Sequence, residues 1–519
     1  MSTPLKYPIG IQSFEKLRKM GYVYIDKTRF VYELATYSKY IFLSRPRRFG
    51  KSLLLSTLAA YFEGKKELFK GLDIEKLETE WETHPVMRID LSGYNKSSNE
   101  SLEDILERHM SYWEKLYDLP PCKLQFADRF YNIIQKASQS TGKGVVILID
   151  EYDGPLISHL DNLERMEPMR DLLKSVYSNL KSCDEYIHFA MVTGVSRFSK
   201  VTIFSGLNNL DDISLDWKYA EICGLTKSEI EKNLYQGIEM LAQRMKISYQ
   251  DAFTQLKENY DGYHFTEDSA NIYNPFSLLL ALNKSKIRPY WFETARPQFV
   301  VDLIRKSNFL LPDFINCEAT ASTLSDVENY RHSPEALLYQ TGYLTIKGYD
   351  PEFDVYRLGI PNREVEDGFF KELAVAESGM DTSQVTTNVF SIRKDLSEGN
   401  VEKALQTLKA YMAGIPYHLT QNKPEIYFEN NLYLILSLAG VDTQTEWPTS
   451  CGRIDLLLKL PKYIYIFELK LDSSSRKALK QIADKDYAAQ FAADPRKKIR
   501  VGINISTKTH SIDSWTIET

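Results

Sequence analysis

The stretch YIFLSRPRRFGKS, Tyr40 to Ser52, decides the fold. Tyr40 to Ser44 reads as a strand buried on both faces. It runs into Arg45-Pro46-Arg47-Arg48-Phe49-Gly50-Lys51-Ser52, and a leucine-rich helical stretch follows from Leu53. Strand, Gly-Lys-Ser turn and helix in that order spell a phosphate-binding loop, GxxxxGK[ST]. The start of the helix offers N–H groups and the positive end of a dipole to a phosphate. Gly50 permits close backbone approach, Lys51 reaches the β- and γ-phosphates, and Ser52 holds Mg²⁺. Arg45 stands where the usual loop has its first glycine, so the loop is expected to cradle phosphate differently. Arg45, Arg47 and Arg48 can add direct charge contacts, and Phe49 and Leu53 count with the nucleotide-binding stretch. A basic turn without ligand is the competing reading, and Gly-Lys-Ser alone does not defeat it.

A second element tips that balance. VVILID, Val145 to Asp150, is an apolar strand ending in Asp150, with Glu151 next. Paired carboxylates at the end of a buried strand are costly without a task. Asp150 suits Mg²⁺ and Glu151 suits the orientation or deprotonation of an attacking water. Thr193, at the end of YIHFAMVT, and Arg197, in TGVSRF, fit sensors of the γ-phosphate, and equally a capped strand end and a surface arginine. With VMRIDL (Val86 to Leu91), four apolar runs alternate with helical stretches between Tyr40 and Thr193. That alternation predicts an α/β domain with a mostly parallel sheet.

Beyond Thr226 the pattern turns helical. TKSEIEKNLYQGIEMLAQRMK predicts a helix capped by Thr226 and Glu229. Gln340 to Leu358 predicts a small hairpin about Asp350-Pro351, and helices return from Asn362 to Met412.

The last hundred residues predict helix, three strands, helix, strand, an α+β unit. Its hairpin reads GRIDLLLKL, a turn at Pro461-Lys462, then YIYIFELK. Glu468 and Lys470 are two apart and share a strand face, and pairing about the turn sets Asp455 opposite them. Asp455 and Glu468 suit one hard divalent cation, most simply Mg²⁺. Metal and Lys470 together suit phosphodiester cleavage, by activating water and stabilising charge. Glu429 at the start of the preceding helix can complete the metal set, and Gln481 and Tyr487 lie downstream. A salt-bridged exposed strand end is the plainer alternative. Lys470 to Arg500 is rich in basic residues, among them Arg476, Lys477, Lys480 and Lys485. Such charges more often solvate a helix face than track phosphates.

Composition sets bounds on these readings. The chain has 519 residues, enough for two to four domains. It is 43% hydrophobic and 26% charged, with a net charge of −6, so any nucleic-acid contact must be local rather than global. Five scattered cysteines without a CxxC argue against a zinc cluster and for a reducing compartment. The N-terminal residues show no signal-like apolar run and no segment suits a membrane span, so a cytoplasmic protein without membrane association is expected.

YPIGIQSFEKLRKMGYVYIDKT, FLSRPRRFGKSLLLSTLAAYFEG, VVILIDEYDGP and MVTGVSRFSK together resemble the AAA-ATPase-like family. YFENNLYLILSLAG, GRIDLLLKL, IFELKLD and QIADKDYA resemble the PD-(D/E)XK nuclease domain often fused to it. The resemblance implies a P-loop fold of the additional-strand class followed by a restriction-endonuclease-like core. It assigns Lys51 and Ser52 to the phosphate loop, Asp150 and Glu151 to the Walker B pair, and Asp455, Glu468 and Lys470 to the nuclease motif, with Glu429 as the acid of the first nuclease helix. The Arg45 form of the loop is typical of that family.

The resulting expectation is an α/β P-loop NTPase domain (1–215), a helical lid or connector with a small hairpin (216–415) and a restriction-endonuclease-like α+β domain (416–519). ATP and Mg²⁺ are the expected cofactors and nucleic acid the partner, DNA in preference to RNA, with homo-oligomerisation open. The function expected is an ATP-controlled nuclease. The alternatives are an NTP-dependent switch that binds without cutting, and a scaffold with both sites vestigial.

Overall fold

The computed structural model describes the chain except for positions 1–4, 95–99, 121, 161, 198–202, 205–206, 208, 295–300, 302–310, 312–315, 326–333, 415–423 and 510. Phe198 to Lys200, the end of the TGVSRFSK stretch, therefore lie outside the described residues. The chain packs as two units, Met1–Ala295 with Glu318–Glu364, and Arg296–Cys317 with Val365–Thr519.

The apolar runs of the first unit are strands, as their lack of alternation predicts: β1 (Tyr40–Ser44), β2 (Val86–Asp90), β3 (Val145–Asp150) and β4 (Ile187–Gly194). A two-residue β5 (Asp211–Asp212) completes a wholly parallel sheet of order β2-β3-β4-β1-β5. β4 lies between the loop strand β1 and the acidic strand β3, the additional-strand arrangement that the resemblance implied. Every residue of β1 and β3 is buried, because helices cover both faces of such a sheet. The carboxyl ends of β1, β3 and β4 consequently share one edge, where ligands of open α/β sheets bind.

The rest of this unit is helical with small sheets. Lys227–Met245 starts with the expected capping box, Thr226 accepting from the Glu229 N–H and Glu229 accepting in return from the Thr226 N–H. β6 (Leu225–Thr226) pairs with β7 (Ile272–Tyr273). The hairpin about Asp350-Pro351 is β9 (Thr345–Asp350) and β10 (Val355–Gly359), joined at one edge by β8 (Glu318–Thr320).

The second unit contains helices Thr382–Glu398, Val401–Ala413 and Pro424–Leu438, and a five-stranded mixed sheet. Its strands are β11 (Asp442–Thr449), β12 (Gly452–Lys459), β13 (Tyr463–Leu471), β14 (Lys497–Ser506) and β15 (Ser511–Glu518), adjacent in that order. Helix Ser475–Asp484 links β13 to the parallel β14. The last strand, β15, is absent from the sequence reading. Its apolar residues Ile512, Trp515 and Ile517 do not alternate cleanly, and its pairing shifts register at Asn504/Ile505.

Candidate functional site

At the first site β1 delivers the chain to the loop, and Gly50 turns it into helix Lys51–Phe62. Gly50 has φ +103°, a left-handed value that would strain any other residue, and no side chain caps the helix it opens. Arg48 is also left-handed, at φ +69°, and its guanidinium lies 4.9 Å from the centre of the Phe276 ring. Phe49 is buried edge-on against Tyr263 and Phe265. Lys51 is 4% exposed, and its ammonium donates to the loop's own carbonyls, Arg45 at 2.8 Å and Pro46 at 3.1 Å. Burial pulls its pKa down, while the carboxylates of Glu151, Asp150 and Asp153 oppose that shift. Lys51 is thus a buried cation held by two loop carbonyls at the start of a helix that no side chain caps.

Asp150 is buried at the end of β3, where the Thr193 hydroxyl donates to it at 2.9 Å. Thr193 thus sits beside the Walker B position. Glu151 has φ +53°, and burial raises its carboxyl pKa against the pull of Lys51 and Arg47. A carboxyl raised by burial beside a cation is of the kind that can take a proton. Asp153, which the sequence reading passed over, is fully buried and accepts from the N–H groups of Val195 and Ser196 and from the Ser196 hydroxyl. It staples the turn after β3 to the turn after β4.

Arg45, expected to be able to contact phosphate directly, and Arg197, expected to be a γ-phosphate sensor or a surface arginine, are both engaged by protein groups. The Arg45 side chain is buried, donates to the carbonyls of Ser44, Ser214 and Tyr219, and lies 4.1 Å from the centre of the Phe265 ring. It braces the underside of the loop. Arg197 pairs with Asp212 at 3.3 Å and donates to Ser325 at 2.7 Å. With Arg45 it lines a small pocket whose wall does not include Lys51. Arg47 offers its carbonyl to the Trp291 indole N–H at 3.0 Å. Ser52 and Leu53 occupy the first turn of the loop helix, both half-buried.

At the second site β12 and β13 pair from Lys459↔Ile464 to Leu456↔Phe467. Beyond that point the ladder gives way to a side chain. The Asp455 carboxylate accepts the Leu469 N–H at 2.7 Å, which sets it beside Glu468. Glu468 is fully buried, and Lys470 on the same face donates to its Oε1 at 2.9 Å. Its Oε2 is buried without a hydrogen-bond partner. Burial first, then the nearby Asp455 charge, push the Glu468 pKa up to about 7, while Lys470 and Gln481 act against the rise. Gln481 belongs to helix Ser475–Asp484, and the buried Tyr487 follows that helix. Glu429 and Asp455 line one shallow pocket with Thr445 and Leu469.

An orphaned buried carboxylate oxygen beside a second carboxylate is a site that a divalent cation would relieve. The donor set of Asp455 and Glu468 fits Mg²⁺ in that respect. Among the described residues no three His, Cys, Asp or Glu side chains stand close enough to hold a metal as a set. Glu429 therefore reaches the pocket beside Asp455 without closing a three-carboxylate cluster. Among the described residues, too, no helix is long and apolar enough to cross a membrane.

Fold and sites define a P-loop α/β protein joined to a nuclease-fold α+β domain. Comparison with known families agrees: residues 8–204 match the family described as Predicted AAA-ATPase, and residues 423–515 match the PD-(D/E)XK nuclease superfamily. A protein of Azotobacter chroococcum mcd 1, described as "Uncharacterized protein in vnfD 5'region", is 36% identical over 526 residues, covering 99% of both chains. The chain belongs to this family of AAA-ATPase-like proteins with a C-terminal PD-(D/E)XK nuclease domain.

Proposed function

We propose that the chain binds and hydrolyses ATP at the phosphate loop and thereby controls a Mg²⁺-dependent nuclease centred on Asp455, Glu468 and Lys470. The observation that carries the reading is buried Glu468 beside Asp455, its Oε1 accepting from Lys470 at 2.9 Å and its Oε2 left without a partner. Packing alone gives no reason to bury an acid in that state. Asp455 and Glu468 would hold Mg²⁺, which supplies Lewis acidity and a more acidic water. Lys470 would stabilise charge developing on the phosphodiester, and Gln481 would orient Glu468. In the first unit Lys51 would leave the Arg45 and Pro46 carbonyls for the β- and γ-phosphates. Ser52 and Asp150 would hold Mg²⁺, Glu151 would take the proton of the attacking water, and Thr193 would keep Asp150 aligned. The nucleic acid is proposed to be DNA in preference to RNA, and the setting cytoplasmic.

The test is cleavage of labelled single- and double-stranded DNA and RNA with Mg²⁺ or Mn²⁺, with and without ATP. Expected is cleavage that falls by roughly two orders of magnitude or more in Glu468→Ala and in Lys470→Ala, on the order of 3 kcal/mol of transition-state stabilisation. Lys51→Ala is expected to weaken ATP binding by roughly tenfold or more, as a lost charge-assisted contact predicts, and to abolish the ATP response. The lack of a three-carboxylate cluster among the described residues favours one second reading, a nucleotide-dependent switch that holds nucleic acid without cutting. ATP-dependent DNA affinity with no cleavage in any lane would select it.

A further inference from the structure

Arg45 carries a positive charge into the interior with no acid to meet it. It is 2% exposed, and among the described residues no carboxylate pairs with it. Three carbonyls and the face of Phe265 surround the guanidinium, but its Nε is buried without a hydrogen-bond partner. Carbonyls and a ring face spread a charge without cancelling it. Burial pulls the Arg45 pKa down, yet a guanidinium keeps its proton in a protein. The small pocket beside it adds a second cation. Arg197 lines the same wall, as do Tyr339 and Leu215, and no carboxylate does. The two nearest acids are occupied. Asp212 pairs with Arg197 at 3.3 Å, and Glu267 accepts from the Tyr356 hydroxyl at 3.4 Å. Tyr339 feels the sign of the pocket: burial raises its phenol pKa, and both arginines pull against that rise. Two guanidiniums less the Asp212 carboxylate leave a single positive charge around the pocket.

We infer that this pocket is a binding site for a small monovalent anion of the halide class, chloride in ordinary solution, held by the Arg45 Nε and the Arg197 guanidinium. One such ion supplies both what the Nε lacks and what the buried charge lacks. A water would satisfy the hydrogen bond and leave the charge uncancelled. A divalent oxyanion would bring a second negative charge next to Asp212 with no cation to match it. The site is separate from any phosphate at Lys51, whose side chain is not on this wall, and the inference stands whether or not a nucleotide binds there. Its effect falls on the loop all the same. The Arg45 carbonyl accepts from the Lys51 ammonium at 2.8 Å, so an ion that neutralises the Arg45 side chain steadies the peptide that holds Lys51.

The experiment is thermal unfolding of the full chain at constant ionic strength as sodium chloride replaces sodium gluconate, with sodium bromide and sodium phosphate as parallel series. The line width of the chloride-35 resonance is followed on the same samples. Both are repeated on Arg45→Met, which removes the charge, and on Leu215→Trp, which fills the pocket and leaves the arginines in place. Expected in the parent is a saturable rise in Tm of about 2–4 °C in chloride, as a ligand at roughly ten times its Kd gives. Bromide should match it and should reverse the chloride-35 broadening. Both variants should lose the halide response. Should Arg45→Met not fold, because its carbonyl partners are left unmet, Leu215→Trp at its half-buried position carries the comparison, and the parent series needs no variant. A parent whose Tm and line width ignore halide would overturn the proposal and leave the pocket to water. A halide response retained in folded Leu215→Trp would overturn the location. Stabilisation by phosphate beyond that by chloride, persisting in Lys51→Ala, would overturn the choice of a monovalent ion.

Discussion

Glu468 sets function against stability. Its carboxyl titrates near 7 in the folded chain, above its ordinary value of 4.5, because it is buried beside Asp455. A raised acid favours the folded state only while it is protonated. Below the unfolded value there is no penalty, and a cost grows as pH rises from about 4.5 to about 7 and is constant above. Glu468→Gln removes the charge while keeping the shape, so in EDTA the variant should be more stable than the parent at pH 8. The gain is about 1–2 kcal/mol after allowance for solvent and for the half-exposed Lys470. It should shrink to a small fraction of that at pH 4.5. Thermal unfolding at the two pH values measures the difference, and an equal gain at both would refute the electrostatic cause. Arg45 shows what residue-level reading of a sequence misses. Its charge and its place in a phosphate loop invite a phosphate contact, whereas the acceptors it uses, at Ser214 and Tyr219, lie some 170 positions downstream. Lys51, Asp150, Glu468 and Lys470 were legible because their neighbours in sequence define their setting: a strand end, a glycine turn, a two-residue spacing.

The strands were legible as elements because β1, β3 and β13 are short apolar runs bounded by turns or charges. The insertion of β4 between β1 and β3 is a non-local pairing that came from family resemblance rather than from pattern. β15 carried too weak an alternation to be found. One glycine decides how the nuclease sheet meets its helix. Gly502 of β14 pairs with Glu468 of β13, and a Cβ there would stand 2.2 Å from the Ser475 carbonyl oxygen and 2.5 Å from the Leu479 N. Both are backbone atoms of helix Ser475–Asp484 or its first turn, so no side-chain rotation relieves the clash. The helix that carries Gln481 can lie this close only over a glycine. Gly502→Ala should therefore destabilise the nuclease domain by about 2–3 kcal/mol through overpacking. It should also lower cleavage at temperatures where the domain remains folded, because Gln481 is lifted from Glu468. Urea unfolding followed by domain-specific fluorescence and cleavage at 15 °C separate the two effects, and an unchanged midpoint would show that the helix can slide.

At the scale of the whole molecule the proposed control needs a route from the phosphate loop to the segments by which the chain leaves the first unit. The chain leaves the first unit after Ala295 and again after Glu364. Trp291 and Glu364, just inside those exits, are joined to each other and to the phosphate loop. The Trp291 backbone N–H donates to Glu364 at 2.8 Å, and its indole N–H donates to the Arg47 carbonyl at 3.0 Å. Glu364 also accepts from the Ser277 hydroxyl at 2.8 Å, and all three residues are buried. Glu364 lies in the first turn of helix Arg363–Ser378, which carries the chain on into the second unit. On the proposed mechanism Lys51 would release the Arg45 and Pro46 carbonyls to bind phosphate, and the adjacent Arg47 carbonyl would either hold its place against Trp291 or move with it. If it moves, the indole bond would carry the displacement to Trp291 and, through the Trp291 N–H, to Glu364. Trp291→Phe keeps the ring and the backbone bond to Glu364 but deletes the indole donor. The expected outcome is ATP affinity within about threefold of the parent, with the ATP-induced change in cleavage reduced by about tenfold, the worth of one buried hydrogen bond. ATP titration and ATP-dependent cleavage on the same preparation measure both quantities. A variant that retains the full ATP response would place the coupling elsewhere in the first unit, and one that loses ATP binding would make Trp291 a support of the loop alone.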